Sequence, residues 1–178
     1  MSNKWNGSHQ RLWNQKKRQE KQRVSSNQTH VYKFSLLYRR SRDGNTVAKF
    51  RELCNNKGPT IAIGRVSDTE EVLGGYNPIA WGLKEDYIIN TEESFIFALN
   101  KDRLEESIVS VVVNAQRAIW DYEARFPVFG NQYRCDLHFN DDRTLQPYAI
   151  KNVYQVPIRR SSANFKWADW EVFSVSKP

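Results

Sequence analysis

The sequence predicts an α+β domain whose core is an antiparallel β-sandwich flanked by a few helices. About seven or eight short segments rich in β-branched and aromatic residues follow one another, and only one segment has a clear helical pattern. Short turns join most of these segments, which favours antiparallel pairing because parallel strands need a long crossover connection. Aromatic residues make up 13% of the 178-residue chain, so there is enough ring surface to fill a core between two sheets.

The first ordered elements are predicted to be a strand, a turn and a helix. The strand covers Lys33–Tyr38, and the turn at Ser41–Gly44 follows from its Asp-Gly pair, since Asp accepts bonds from local amides and Gly adopts a positive φ. Apolar residues recur at helical spacing over residues 47–56, and Thr46 is a suitable N-cap. Cys54 lies on the apolar stripe of this helix, so we expect it to be part of the core.

The remaining elements are predicted to be strands. Thr60–Val66 and Val72–Tyr76 are separated by about five residues, which is typical of a hairpin, and Asn77-Pro78 then forces a turn. The other predicted strands are Ser94–Leu99, Ile108–Val113, Tyr133–Phe139 and Trp170–Val175.

Two glycines lie inside a predicted strand, at Gly74 and Gly75. A phosphate-binding loop is excluded because no Lys-Ser/Thr pair follows them and no helix starts there. Glycine within a strand usually marks a bulge or a close approach of another group. We therefore expect the ring of Trp81 to pack over the two glycines.

Cys135 and His138 are the pair that most resembles a nucleophile and its base. They are three positions apart on the predicted half-buried strand Tyr133–Phe139, so their side chains should point to opposite faces and not meet. Cys135 is expected to pack in the core beside Leu137 and Phe139. Burial in apolar surroundings raises the pKa of a thiol, and the two cysteines and three histidines have no metal-ligand spacing. The sequence therefore predicts no catalytic residue, no cofactor and no metal.

The positive charge of the chain is concentrated at its N-terminus. Residues 1–30 hold seven Lys/Arg and one acidic residue, whereas residues 31–178 hold 20 Lys/Arg and 19 acidic residues. Few large apolar residues occur in residues 1–30, so we expect a basic disordered tail before a domain spanning 31–178. The tail residues that are candidates for binding are Lys16, Lys17, Arg18, Lys21 and Arg23.

Several ligands suit such a tail. Its charges fit the phosphates of RNA or DNA, acidic lipid headgroups, or a nuclear import receptor, and a solubilising tail with no partner is the remaining alternative. The longest aliphatic stretch, Ile108–Val113, is far shorter than the roughly 20 apolar residues that a membrane-spanning helix needs. Without a secretory signal pattern, we expect a cytoplasmic protein, with the nucleus as the alternative location.

Four segments, in this order, resemble the TLDc domain family. They are the SRDG turn at 41–44, the stretch VLGGYNPIAW at 72–81, ESFIF at 93–97 and WEVF at 170–173. The motif residues, which we interpret as mainly structural, are Ser41, Arg42, Asp43, Gly44, Gly74, Gly75, Tyr76, Pro78, Trp81, Phe95, Phe97 and Glu171. The resemblance covers roughly residues 32–175.

The resemblance implies a β-sandwich flanked by helices that acts as a non-catalytic interaction domain. It also implies a link to protection against oxidative stress and to binding of the vacuolar proton-pumping ATPase, whose cytosolic sector is the candidate partner. Two positions depart from the family pattern: Asn45 replaces an aromatic residue after the turn, and Gly130 alone remains of a glycine-rich stretch before Tyr133. Arg42 either pairs with a buried carboxylate or contacts a partner. Nucleic-acid or acidic-surface binding through the tail is the alternative function.

Overall fold

The computed structural model describes residues 31–83, 87–131, 135–140, 153–159 and 165–177. Within these ranges the chain forms ten strands, two α-helices and two 3₁₀-helices, the latter at Leu104–Glu106 and Ala115–Arg117. The helices are α1 (Arg40–Asp43) and α2 (Val47–Cys54). The strands are β1 (Lys33–Arg39), β2 (Thr60–Val66), β3 (Val72–Asn77), β4 (Tyr87–Ile89), β5 (Phe95–Leu99), β6 (Ile108–Val111), β7 (Ile119–Asp121), β8 (Val128–Gly130), β9 (Cys135–His138) and β10 (Trp167–Ser176).

The strands form two antiparallel sheets, which confirms the predicted β-sandwich with a few flanking helices. The six-stranded sheet has the order β1-β10-β2-β3-β5-β6, and the four-stranded sheet has the order β4-β7-β8-β9. The predicted hairpin of β2 and β3 is confirmed, with Thr60 opposite Asn77. β10 lies between β1 and β2, so the last strand completes the sheet that the first strand begins.

Helix α2 begins as predicted and ends earlier. The Thr46 hydroxyl accepts a hydrogen bond from the Lys49 amide at 3.3 Å, which satisfies one of the free donors of the first turn. The helix ends at Cys54 because Asn55 turns to extended backbone, and the next amide, Asn56 N–H, donates to the Trp81 carbonyl at 2.9 Å. The sequence predicted a helix to residue 56. Cys54 is fully buried in the core, as predicted.

The SRDG segment forms one helical turn, α1, where the sequence predicted a simple turn. Residues Arg40–Asp43 are helical, and Gly44 follows with a φ of 88°, in the region that favours glycine. The Gly44 amide donates to the Arg40 carbonyl at 3.0 Å, which closes the turn. The expected positive φ at Gly44 is therefore present, although the preceding residues are helical.

An aromatic cluster fills the space between the sheets and α2. The fully buried Trp170 ring of β10 contacts four other rings at centroid distances of 4.7 to 6.1 Å. These partners are Tyr38, Phe50, Phe126 and Phe139. Because the rings come from the six-stranded sheet, from α2 and from the segments that flank β8 and β9, each element is held by the packing of the others.

Glycines on β3 let rings approach the sheet, but the ring that we expected there lies elsewhere. A Cβ at Gly75 would lie 2.5 Å from the ring of Phe129, and a Cβ at Gly74 would lie 2.2 Å from the ring of Phe97. The prediction that Trp81 packs over both glycines is therefore wrong. Trp81 is fully buried and donates its indole N–H to the Thr60 hydroxyl at 2.8 Å, which holds it beside β2.

The strands differ from the prediction in their burial, their number and their ends. The pattern in β9 predicted alternating burial, yet all four residues Cys135–His138 are buried. β4, β7 and β8 were not predicted, because each has only three residues and shows no readable periodicity. The strand predicted over Ile108–Val113 ends at Val111, and β10 begins three residues before the predicted Trp170.

A buried ion pair connects α2 to the four-stranded sheet. The side chains of Arg51 and Asp121 are 11% and 2% exposed, and Nη1 lies 2.5 Å from Oδ1. Arg51 also donates to the carbonyls of Tyr122 and Arg125, and the second Asp121 oxygen accepts from the Gly82 amide at 2.7 Å. Helix, strand and loop thus meet at one carboxylate.

We expect Arg51→Ala to lower the free energy of unfolding by about 3 to 5 kcal/mol, because it leaves the Asp121 carboxylate buried without its cation. The matched control is Lys49→Ala on the same helix, which removes the exposed ion pair with Glu52 and should cost under about 1 kcal/mol. Chemical denaturation measures both values. Equal losses for the two variants would contradict a structural role of the buried pair.

Candidate functional site

A small cleft opens at the four-stranded sheet. Its volume is about 10 Å³, which is close to the space that one water molecule requires. The cleft is lined by Trp120, Arg125, Phe126, Val128, Asn131, Cys135, His138 and Asn140. It combines a thiol, an imidazole, a guanidinium and two amides, and this is the chemical variety expected of a binding or catalytic site.

A β-bulge brings Cys135 and His138 to the same face of β9. His138 pairs with Val128, and Cys135 pairs with Gly130. Between these two pairs β8 has one residue whereas β9 has two, so β9 contains one extra residue. Because of this extra residue, Cys135 lies on the same face of β9 as His138, and both side chains line the cleft. The prediction that the two side chains point to opposite faces is therefore wrong. Cys135 is buried, as predicted, but it lies outside the core cluster that contains Leu137.

The environment of the thiol suppresses its reactivity. Burial raises the pKa of Cys135 to about 12, and it raises the pKa of Cys54 on α2 to about 12 as well. His138 is fixed by two contacts: its Nδ1 accepts from the Asn140 amide at 3.3 Å, and its carbonyl accepts from the Trp167 indole at 3.2 Å. Within the described ranges no group of three or more His, Cys, Asp or Glu is arranged to bind a metal ion.

Asp136 is a buried carboxylate at the bulge, between the two cleft residues. It is 7% exposed, and its Oδ2 has no hydrogen-bond partner among the described residues. Burial raises its pKa to about 7, because the ionised form is poorly solvated there. The periodicity of the strand predicted no burial at this position. The glycine at 130, with a φ of 108°, is the one sequence signal beside the bulge.

The α1 segment and its neighbours form a polar corner at the end of β1. The Asp43 carboxylate accepts two bonds from the Arg42 guanidinium at 2.8 Å and one from the Arg39 amide at 2.8 Å. These bonds lower the pKa of Asp43 and raise that of Arg42. Ser41 donates its hydroxyl to Asp169 of β10 at 2.5 Å. The polar groups of this corner thus form hydrogen bonds with neighbouring residues of the domain. Arg42 pairs with the Asp43 carboxylate and is itself exposed to solvent.

Most of the other motif residues lie apart from this corner, whereas Glu171 adjoins it, because its partner Arg39 donates its backbone amide to Asp43. Tyr76, Phe95 and Phe97 form a ring cluster on β3 and β5, and Pro78 follows Asn77, whose side chain accepts from the Ile79 amide at 2.9 Å. Glu171 of β10 pairs with Arg39. The structure therefore does not join the motif residues into one site. The tail candidates Lys16, Lys17, Arg18, Lys21 and Arg23 lie outside the described residues.

One known protein family matches most of the chain. The family model described as the TLDc domain matches residues 8–176. No curated protein matches the chain. Among the described residues no helix is long and apolar enough to cross a membrane.

We expect Asp136→Asn to change the pH dependence of stability. The pKa of Asp136 is about 7 in the native state, so the folded protein binds this proton more tightly than the unfolded chain does. The resulting stability is complete below the ordinary Asp pKa of about 4 and is lost as the pH rises to about 7. Relative to the variant, wild type should lose up to about 1.4 kcal/mol per pH unit in this interval. Urea denaturation across pH measures the difference, and parallel curves would refute it. Asp102→Asn, at an exposed position, is the matched control.

We expect both thiols to be unreactive in the native protein. A pKa of about 12 leaves roughly one thiolate per 10⁵ thiols at pH 7, and the thiolate is the reactive form. Labelling with Ellman's reagent should be fast only after denaturation. A Cys54→Ala variant isolates Cys135, and fast native labelling of that variant would show that the cleft activates the thiol.

Proposed function

The chain belongs to the TLDc domain family, and on this basis we propose that it is a non-catalytic protein-interaction domain that regulates the vacuolar proton-pumping ATPase. Its partner is the cytosolic sector of that pump, its location is the cytoplasm, and it acts in the response to oxidative stress. The family match over residues 8–176 is the observation that carries the proposal.

The chemistry of the cleft supports binding over catalysis. A nucleophilic thiol needs a depressed pKa, and both thiols here have a raised one. The cleft beside Cys135 and His138 is small, with a volume of about 10 Å³. Asp43 and Arg42 are bonded to each other, which favours a role in shaping the corner. These features leave surface recognition as the function that the domain supports best.

A second candidate function rests on the charge of the N-terminus. Residues 1–30 hold seven Lys/Arg and one acidic residue, which suits an RNA, DNA or acidic lipid surface. Deleting this segment would also remove part of the region matched by the family, which starts at residue 8. Neutralising substitutions in the full chain therefore separate the two functions better than a truncation does.

We expect the 178-residue chain to bind purified cytosolic pump sector with a micromolar or lower dissociation constant, measured by biolayer interferometry. A variant with Lys16, Lys17, Arg18, Lys21 and Arg23 changed to Gln should bind the pump sector like wild type. Lack of wild-type binding at micromolar concentration would refute the proposed partner.

The same variant tests the second candidate. Binding to single-stranded RNA or to phosphatidylserine vesicles should weaken with salt and fall in the Gln variant if the tail recognises anionic surfaces. If wild type binds neither probe at low salt, the tail function is wrong.

A further inference from the structure

The cleft at the four-stranded sheet contains a cation without a carboxylate partner. Arg125 is the one Lys or Arg among the described residues that line the cleft, and no Asp or Glu is among them. Arginines elsewhere in the described ranges pair with carboxylates, namely Arg39, Arg42, Arg51, Arg65, Arg103 and Arg159. Arg125 makes no ion pair with a described residue. Its guanidinium is therefore available to an anion from outside the domain.

Backbone and ring contacts fix the position of Arg125. Its amide donates to the Tyr122 carbonyl at 3.0 Å, and its own carbonyl accepts from Arg51 Nη2 at 3.0 Å. The guanidinium lies 5.9 Å from the centroid of the Trp120 ring, and this ring stacks on Tyr122 at 5.5 Å with an angle of 5° between the planes. A side chain that is positioned before binding loses less conformational entropy when the ligand arrives.

The cleft combines buried polar side chains with others that solvent reaches. Asn131 and His138 are 7% and 8% exposed, so the fold itself places these polar groups at the cleft. Trp120, Arg125 and Asn140 are half-buried and are thus partly accessible to a ligand. Trp and Arg are enriched among the residues that dominate the binding energy of protein interfaces. The composition of the lining is therefore typical of a recognition pocket.

The charge of the cleft matches a carboxylate better than a phosphate. A carboxylate is planar and singly charged, so one guanidinium can neutralise it through two parallel hydrogen bonds. A phosphomonoester carries nearly two negative charges at neutral pH, and no second Lys or Arg is among the described lining residues. Residues 31–178 carry 20 Lys/Arg and 19 acidic residues, so the domain has no large excess of positive charge to attract a nucleic acid or an anionic membrane.

We propose that this cleft binds the carboxylate of an Asp or Glu side chain of the partner protein, with Arg125 as the counter-charge. Trp120 forms the apolar wall beside the methylene groups of that side chain, and the amides of Asn131 and Asn140 border the site. This inference rests on the proposed function, because it takes the cytosolic pump sector as the protein that supplies the carboxylate.

Removing the cation from the 178-residue chain tests the role of the cleft in partner binding. We expect Arg125→Gln to lose at least tenfold in affinity for the purified pump sector, measured by biolayer interferometry. The matched control is Arg117→Gln, which makes the same change of charge at an exposed position and should bind like wild type. Thermal melting checks that both variants fold. If wild type and Arg125→Gln bind equally well, the inference is wrong and the proposed function stands.

A small carboxylate tests the cleft without the pump sector. Propionate, which mimics the Glu side chain, should produce saturable NMR shifts of the Arg125 Nε–H and Trp120 indole signals at constant ionic strength. Arg125→Gln should abolish the indole shift, and the neutral isostere propionamide should shift neither signal. If these propionate shifts occur but wild type does not bind the pump sector, the proposed function is wrong and the carboxylate site stands. Absence of a saturable propionate shift would overturn the inference, and so would inorganic phosphate that saturates the same signals at lower concentration.

Discussion

The buried Arg51–Asp121 pair is the interaction on which the arrangement of the layers depends. Its cation comes from α2 and its carboxylate from β7, and the same carboxylate accepts the Gly82 amide from the loop that follows β3. A desolvated pair of this kind stabilises only when its remaining hydrogen-bonding capacity is used. Here the carbonyls of Tyr122 and Arg125 both accept from Arg51 Nη2, whereas Nε has no partner among the described residues, and the pair fixes the position of a helix, a strand and a loop at once.

Small residues then decide how closely the layers approach. Gly75 faces the second sheet and receives the ring of Phe129, while its neighbour Gly74 faces outward and receives the ring of Phe97. Adjacent residues of a strand point to opposite faces, so one Gly-Gly pair serves both sides of β3. The inner glycine allows close packing of the sandwich, and the outer glycine allows a flat aromatic surface. The two glycines thus allow rings to pack closely on both sides of β3.

The sequence predicted what depends on local patterns and missed what depends on pairing. The Thr46 cap, helix α2, the β2–β3 hairpin and the burial of Cys54 follow from neighbours in the chain, and the structure confirms them. The face of Cys135 was wrong because a bulge is defined by two strands together, and alternation along one strand does not reveal it. The position of Trp81 was predicted wrongly for a similar reason. The rings that pack on the two glycines are those of Phe97 and Phe129, which are distant from them in the sequence.

The bulge that misled the sequence prediction also explains why a thiol and an imidazole on one face do not form a reactive pair. The extra residue in β9 brings Cys135 beside His138, but it also buries the carboxylate of Asp136 next to them. Activation of a thiol requires positive charge or open solvent near the sulfur. Here burial instead raises the pKa of the Cys135 thiol and of the Asp136 carboxyl. The close packing around the cleft thus keeps the Cys135 thiol protonated and unreactive.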